Sequence, residues 1–487
     1  MEFVNHTPFP ALAFAGIDQH DQHFHVLVLR QTLRFANGQL EYADSQEPLC
    51  EVDEFFGEMN ISSVRQESDL CQYKPQCDII VNATAHAPGG KRTQHFQTRL
   101  TVRASNTPAP LPEPPRGLNP FQAPSDREMT LWRHAVNYAQ SHPIPGAILI
   151  DKTLSISGER LFRKKAWPFR LFWWAVKWAS LTIIQRNPWK LTAPQKLITL
   201  PLRYEHAFGG QCRINADQTA ARRVKKKLRL SPEQQAQHPE QPAPIAHTVC
   251  ELNPIGLGYS EVWHLKATKQ KRVPAPQIEI PTAPISAKLF WHALNGKLKR
   301  AKPQQLAPFT PAGFGVVPKS HPMRRKLGGT IDTAFIQSDQ WLPHDFDFGV
   351  WNAAPPDQQT DFLQGDETIE LTNLCAPNTP GATTERNGDT KLTLTLPANV
   401  CFSLVRLESG EMFIHPLYLD TLIVETDTEG AANVSLVWRT VLTQDPETPI
   451  RALEARMQSR AEHAQLQAEI KRITQVLNTP TETTHAE

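Results

Sequence analysis

The sequence predicts a mainly β protein whose antiparallel sheets form sandwich-like or barrel-like lobes, with helical insertions and a C-terminal helix. Three observations support this. Apolar residues alternate along short segments, several of these segments end at Asn-Gly, Ser-Gly or Glu-Gly turns, and the 487 residues include 42 prolines against 23 glycines. Because proline interrupts helices, an all-helical bundle is excluded. A hydrophobic content of 40% excludes a wholly disordered chain.

The clearest predicted strand covers residues 24–35, where apolar side chains alternate and Asn37-Gly38 follows as a hairpin turn. The same alternation predicts further strands, and the last four of them are expected to form a meander. They cover residues 78–83, 96–103, 147–157, 393–397, 401–407, 421–426 and 434–441.

Helices are predicted at 127–140, within 284–302 and over 449–477. The last segment has two apolar stripes, which Arg460 and His463 interrupt, so it is expected to pack on the body or on a partner rather than form a coiled coil. The polar segment 219–248 is predicted to be a solvated loop.

These patterns divide the chain into four predicted regions. They are an N-terminal β region (1–106), a Pro-rich link with a short helix (107–146), a β-rich remainder (147–441) with insertions near 162–196, 211–250 and 284–306, and a C-terminal helix with a disordered tail (442–487).

The net charge of +2 hides an uneven distribution. Residues 151–330 contain 31 Lys and Arg against 9 Asp and Glu, whereas the remainder contains 20 against 40. This pattern fits a basic face that meets an anionic partner, or a basic segment neutralised by acidic regions of the same chain. The near cancellation of the two totals favours the second interpretation.

The cysteine pattern, the N-terminal residues and the lack of an uninterrupted apolar stretch predict a cytoplasmic protein. Seven scattered cysteines without a C-x-x-C pair fit a reducing compartment and not a disulfide framework. No secretory signal is expected at the N-terminus, and the most apolar stretch, residues 166–184, contains Pro168, Arg170 and Lys177, so no stable membrane insertion is expected.

No cofactor or metal is expected. The stretch Pro88–Thr93 does not match a phosphate-binding loop, because Ala85 stands where the first glycine is needed and Arg92, not Ser or Thr, directly follows Lys91. No dinucleotide fingerprint occurs. His20, His23 and His25 form the most metal-like cluster, but a polar loop that enters an edge strand explains them better.

Asp345, Asp347 and Asp357 are the candidates for an enzymatic site. Paired carboxylates suit acid–base chemistry or a hard cation, so a carboxylate- or metal-dependent hydrolase or lyase is the alternative function. Their Pro, Asn and Gly surroundings favour turn chemistry instead. No catalytic residue is therefore assigned.

The segment around residues 162–194 contains five tryptophans interleaved with Lys and Arg. A core helix, a nucleic-acid surface, a membrane-surface helix and a protein-binding patch all fit this composition. Protein binding is the preferred functional interpretation, because Trp and Arg are frequent anchors of interfaces. The predicted partner-contact residues are Phe169, Phe172, Trp173, Trp174 and Trp178, and no nucleic acid is expected as a partner.

A series of short motifs resembles one bacterial family. The motifs are Asn5–Pro10, Gln46–Leu49, Ser62–Asp69, Lys74–Asp78, Gly158–Arg160, Pro201–Gly210, Asn253–Gly258, Pro311–Gly315, Gly329–Asp332, Pro343–Asp347, Ala354–Gln358, Gly365–Glu367 and Leu436–Arg439. In this order they resemble a domain-of-unknown-function family encoded in type VI secretion loci beside VgrG spike proteins, PAAR-repeat tip proteins and toxic effectors.

The resemblance covers residues 3–441 and implies a cytoplasmic adaptor or chaperone that is not an enzyme. Such an adaptor binds a PAAR tip protein or an effector toxin and helps to load it onto the VgrG spike. The family supplies no established catalytic residues to carry over. The Trp-rich segment and the two later insertions depart from the family pattern, so they are candidates for selecting the client.

Overall fold

The computed structural model of the chain describes residues 1–59, 61–115, 125–165, 187–238, 241–297, 302–426, 432–445 and 447–477. Its strands, in chain order, are β1 (Glu2–Asn5), β2 (Ala11–Ile17), β3 (His23–Ala36), β4 (Gln39–Tyr42), β5 (Glu54–Phe55), β6 (Val64–Gln66), β7 (Cys77–Asn82), β8 (Thr84–His86), β9 (His95–Arg103), β10 (Ile148–Ser157), β11 (Leu161–Lys164), β12 (Trp189–Leu191), β13 (Thr199–Pro201), β14 (Phe208–Gly209), β15 (Gln211–Asn215), β16 (Pro244–Val249), β17 (Leu257–Gly258), β18 (Arg272–Pro274), β19 (Ile278–Glu279), β20 (Gln359–Thr360), β21 (Thr368–Thr372), β22 (Thr383–Thr384), β23 (Thr390–Thr395), β24 (Asn399–Leu407), β25 (Met412–Pro416), β26 (Tyr418–Glu425), β27 (Asn433–Thr443) and β28 (Ile450–Ser459).

The α-helices of the described residues are mostly short. They are α1 (Asp126–Ser141), α2 (Pro232–Ala236), α3 (Val262–Thr268), α4 (Ala287–Leu294), α5 (Pro303–Leu306), α6 (Pro322–Leu327), α7 (Thr333–Ile336) and α8 (Arg460–Leu477). The protein is therefore mainly β with several antiparallel sheets and a C-terminal helix, as the sequence predicts. Within the described residues, no helix combines the length and apolarity needed to cross a membrane.

The main body contains two large sheets that share one core. One sheet has the order β2-β3-β27-β26-β7-β20, with β4 added to β3, and the other has the order β19-β10-β9-β21-β23-β22. Side chains such as Leu29, Val81 and Leu436 from the first sheet and Leu100 and Leu392 from the second are buried in this core. The predicted hairpin is confirmed, because Asn37 and Gly38 have positive φ values of 53° and 85° between β3 and β4.

The predicted C-terminal helix is wrong over its first eleven residues, 449–459. Ile450–Ser459 forms β28, which pairs with β24 and β1, and helix α8 begins only at Arg460. Leu453 and Ala455 of β28 are buried, so the apolar residues of this segment pack within a sheet and not along a helix. Tertiary pairing here overrides a high local helix propensity.

The predicted meander at 393–441 is confirmed for its last two strands, which pair with each other, and wrong for its first two, which belong to other sheets. Its strands exist, but β23 belongs to the second large sheet, β24 pairs with β25 and β28, and β26 pairs with β27 in the first sheet. The segment 219–248 is more ordered than a solvated loop, because Ala220, Ala221 and Val224 are buried in a small core of their own.

Residues 159–165 and 187–297 form a second lobe, here called the basic lobe, although β13 and β19 within this range pair with strands of the main body. Phe162, Trp189, Phe208 and Phe290 form its core, and the rings of Phe162 and Phe290 stack with centroids 4.1 Å apart. Its described residues contain 20 Lys and Arg against 7 Asp and Glu. The lobe therefore has an apolar centre and a strongly cationic exterior.

Candidate functional site

A cleft of about 1130 Å³ lies between the main body and the basic lobe. This volume slightly exceeds the usual upper size of a small-molecule pocket, about 1000 Å³. Seven of the motifs named above contribute to its lining, although they are far apart in the chain. The contributions are Ser62–Val64, Pro75 and Gln76, Tyr204, Asn253–Ile255, Pro311 and Ala312, Asp347, and Ala354–Asp357.

The buried carboxylate of Asp78 fixes one wall of the cleft. It accepts hydrogen bonds from the backbone N–H groups of Ala353 and Ala354 at 2.8 and 3.1 Å and from the Lys74 ammonium group at 2.9 Å. The side-chain amide of Gln358 then donates to the carbonyl groups of Ile79 and Phe314. These bonds hold residues 353–358, which form this wall, against β7.

The opposite wall depends on Asn253 and on a glycine. The Asn253 side-chain amide donates to the carbonyl oxygens of Tyr204 and Phe208 at 2.8 and 3.0 Å. Gly209 has a φ of 153°, and a β-carbon there would lie 2.2 Å from the Asn253 carbonyl oxygen. Only glycine fits this close approach.

Ser63 and Glu205 connect the two sides of the cleft. The Glu205 carboxylate accepts from the Ser63 backbone N–H at 2.8 Å and from the Ser63 hydroxyl group. The Ser63 Oγ in turn accepts from the Tyr204 backbone N–H at 2.9 Å. Six lining residues are prolines, which limits backbone rearrangement of the walls. The cleft is therefore built before any ligand arrives.

Lys152 and Arg324, the two cations in the lining, are paired with carboxylates of the same chain. The Lys152 ammonium group lies 2.8 Å from Asp357 and 2.7 Å from the Gln358 side-chain oxygen. Burial lowers the pKa of Lys152, and the nearby Asp357 carboxylate opposes this shift. Arg324 forms a two-point contact with Glu67 at 2.7 and 2.8 Å. The cleft thus presents an apolar surface with little net charge.

The three candidate aspartates do not form one cluster. Asp345 accepts from the backbone N–H and hydroxyl groups of Thr330 at 2.8 and 2.7 Å, and these bonds lower its pKa. Asp347 accepts from the Gly349 N–H, which begins a short 3-10 helix. Asp347 and Asp357 line the cleft, whereas Asp345 is not part of the lining. The turn chemistry that the sequence indicates is therefore present at Asp345 and Asp347.

The histidine cluster lies at the hairpin between β2 and β3. The Asp18 carboxylate accepts from the backbone N–H groups of His20 and Gln22, which fixes the turn. His23 is exposed, and partial burial lowers the pKa of His25. In the part of the chain that the structure describes, no group of three His, Cys, Asp or Glu side chains is placed to hold a metal ion.

The predicted partner contacts Phe169, Phe172, Trp173, Trp174 and Trp178 lie outside the described residues. Residues 166–186 connect β11 to β12, so both ends of this segment attach to the small sheet of the basic lobe. The hypothesis that these aromatic side chains contact a client stays a prediction.

No local signal in the sequence indicates the cleft itself. Its motifs are visible as separate Pro-, Asn- and Gly-containing stretches, but they converge only through long-range contacts such as Ser63 with Glu205 and Lys152 with Asp357. A model of an uncharacterized protein family conserved in bacteria, DUF2169, matches residues 20–109 and 122–439. The chain belongs to this family. No functionally curated protein and no solved structure has significant similarity to the chain.

Proposed function

We propose that this DUF2169 protein is a cytoplasmic adaptor or chaperone of a type VI secretion system. It binds a PAAR-type tip protein or a toxic effector and helps to load it onto the VgrG spike. The observation that carries the proposal is the pre-formed, largely apolar cleft to which seven of the motifs contribute. An apolar cleft of this kind can receive a polypeptide segment, and its volume lies just above the usual range of small-molecule pockets.

The internal charge balance of the cleft supports a binding role. Lys152 and Arg324 are held by Asp357 and Glu67, so these cations already have counter-ions within the chain. An apolar segment of a cargo protein would bury surface here without displacing an ion pair. Leu252 and Met323, exposed by 36% and 49%, stand in the lining at positions where such a segment would touch them.

The test is co-purification of the full-length tagged protein from cells that express the secretion system. We expect the native protein to retain a PAAR, VgrG or effector protein. The double variant Leu252→Arg/Met323→Arg places two charges in the cleft and is expected to reduce recovery at least tenfold. The matched control, Ile331→Arg/Ile336→Arg, changes two residues that are each 71% exposed and lie outside the cleft lining, and it should behave like the native protein.

The adaptor proposal fails if the native protein retains none of these partners from cells shown to produce them. If the cleft variant and its control lose partner recovery to the same extent, the cleft is not the binding site. Both variants should first show native far-UV circular dichroism and thermal unfolding.

The Trp-rich segment is a separate part of the proposal. Replacing Trp173, Trp174 and Trp178 by serine is expected to abolish co-purification while leaving the thermal midpoint unchanged, because the prediction assigns these side chains to the client contact. A drop in the midpoint would instead assign them to the folded core of the protein.

The alternative proposal is that the protein is a hydrolase or lyase, and one observation supports it. Asp347 and Asp357 line the same cleft, and Asp357 pairs with the buried amine of Lys152. Metal analysis of the purified full-length protein distinguishes the two proposals. Stoichiometric zinc, manganese or calcium that is lost in Asp347→Asn/Asp357→Asn would favour the hydrolase.

A further inference from the structure

Three cations stand side by side on a small sheet of the basic lobe. The sheet has the order β12-β11-β18, and Arg163 of β11 lies directly opposite Lys190 of β12 and Arg272 of β18. Paired residues of neighbouring strands point to the same face, so the three side chains form one row. Neighbouring strands are about 4.8 Å apart, which gives the row a length of about 10 Å. We call this row the cationic face.

The opposite face of the same sheet is buried. Phe162, between Leu191 and Val273 in the register, is fully buried in the core of the basic lobe. Because side chains alternate along a strand, this burial directs Arg163 outward. Arg163, Lys190 and Arg272 are all exposed. The core thus fixes the direction in which the cations project.

The cationic face has no counter-ions in the described chain. The three strands contain no Asp or Glu, and none of the three cations forms an ion pair with another described residue. The three cations differ in this respect from Lys152, Lys319 and Arg324, which pair with acidic residues outside the range 151–330. Like charges directly opposite each other destabilise a sheet, and a bound anion would relieve that repulsion.

The surroundings of the row indicate the kind of anion. Among the residues that the structure describes, the same-face positions next to it lack aromatic side chains on which a nucleic-acid base would stack, and no large exposed apolar residue is among them to anchor in a membrane. These positions are Leu161, Lys165, Pro188, Thr192, Gln270 and Pro274. Side-chain carboxylates need neither stacking nor an apolar anchor, and they pair well with a planar guanidinium group.

We infer that the cationic face binds an acidic segment of a protein partner, a run of Asp and Glu residues held by Arg163, Lys190 and Arg272. In naming a protein as the partner, the inference rests on the proposed adaptor function. It adds a second recognition surface of opposite character to the cleft. One partner would place an apolar segment in the cleft and an acidic segment on this sheet, or two partners would use one surface each.

The experiment measures binding of a fluorescein-labelled ten-residue glutamate peptide to the full-length protein by fluorescence anisotropy. We expect saturable binding that weakens with added salt, because screening acts on exposed charges. Arg163→Glu should weaken binding at least tenfold, and its thermal midpoint should not fall, because the introduced carboxylate would lie between two cations. This combination separates a binding role from a structural one.

The matched control is Lys226→Glu/Lys227→Glu, on an exposed 3-10 turn of the same lobe. It changes more charge than the single variant but leaves the cationic face intact, so peptide binding should stay within threefold of the native protein. Arg163→Gln provides a second variant, with an expected loss of at least threefold.

Several results would overturn the inference. They are no binding of the glutamate peptide, equal loss in Arg163→Glu and the control, or tighter Arg163-dependent binding of a 20-nucleotide oligothymidine or of phosphatidylserine vesicles. Because this assay contains no secretion component, its outcome is independent of the co-purification test. An adaptor that retains its cargo but ignores the peptide would keep the proposed function and lose this inference.

Discussion

Two surfaces of the molecule treat charge in different ways. In the cleft, Lys152 and Arg324 face carboxylates of the same chain at 2.8 and 2.7 Å, whereas on the cationic face Arg163 faces Lys190 and Arg272 across the sheet. The buried or half-buried cations have counter-ions because an unpaired charge there is costly. The exposed cations tolerate one another because water screens them. The charged groups of the cleft therefore stabilise the fold, whereas those of the cationic face are available to bind a partner.

The largest expected effect on the free energy of unfolding comes from removing the buried ion pair beneath the cleft wall. Asp78 is fully buried and pairs with Lys74, whose pKa is raised by this carboxylate despite burial. Asp78→Ala would remove the carboxylate partner of the buried Lys74 ammonium group, which keeps only the Thr421 hydroxyl group, and the acceptor of two backbone N–H groups. We expect a loss of about 3–5 kcal/mol in the free energy of unfolding, measured by urea denaturation.

The control for this prediction is Asp345→Ala, which also removes an acceptor of a backbone N–H, but at an exposed turn. Because water replaces the lost bond there, the loss in the free energy of unfolding should be far smaller. The double variant Lys74→Met/Asp78→Leu should recover much of the loss, because it removes both charges. A loss in Asp78→Ala no larger than that in the control would contradict the view that this pair holds the wall.

A smaller effect is expected for the ion pair inside the cleft. Asp357 is 62% exposed, whereas the Lys152 side chain is only 10% exposed. Asp357→Asn is therefore expected to cost about 1 kcal/mol at pH 7.5. The measurement is chemical denaturation of the full-length protein between pH 7.5 and 10.5.

The pH dependence of that loss has a definite sign. The folded-state pKa of Lys152 lies below its ordinary value of 10.5, so between these two values the unfolded chain binds more protons and stability rises with pH. Removing Asp357 lowers the folded pKa further, so the cost of Asp357→Asn should shrink as pH approaches 10.5. In a Lys152→Met background the cost should be independent of pH, and a pH-independent cost in the native background would contradict this account.

Local sequence features predicted some elements well and missed others for physical reasons. The β3–β4 hairpin depends on Asn37-Gly38, a signal contained within two residues. By contrast, Ile450–Ser459 contains residues that favour helices, and only its pairing with β24 and β1 makes it a strand. Local signals therefore identify hairpins better than strands whose partners are distant.

The same distinction applies to the two surfaces. The motifs that line the cleft are visible individually in the sequence, but Ser63 meets Glu205 only in the folded chain. The sequence also showed that the basic segment is rich in Lys and Arg. It could not show that residues 163, 190 and 272 share one register, because strand pairing between distant segments sets that alignment.

The smallest expected effect tests the repulsion on the cationic face directly. Arg163→Met and Lys190→Met each remove one member of a like-charged pair, so each should raise the free energy of unfolding by about 0.5 kcal/mol at low ionic strength. The double variant should gain less than the sum, because the same repulsion cannot be relieved twice. At 0.5 M NaCl the gains should fall towards zero, since the Debye length then drops to roughly 4 Å. Gains that are additive and unaffected by salt would show that Arg163 and Lys190 do not repel each other, and the contrast between the two surfaces would then rest on the cleft alone.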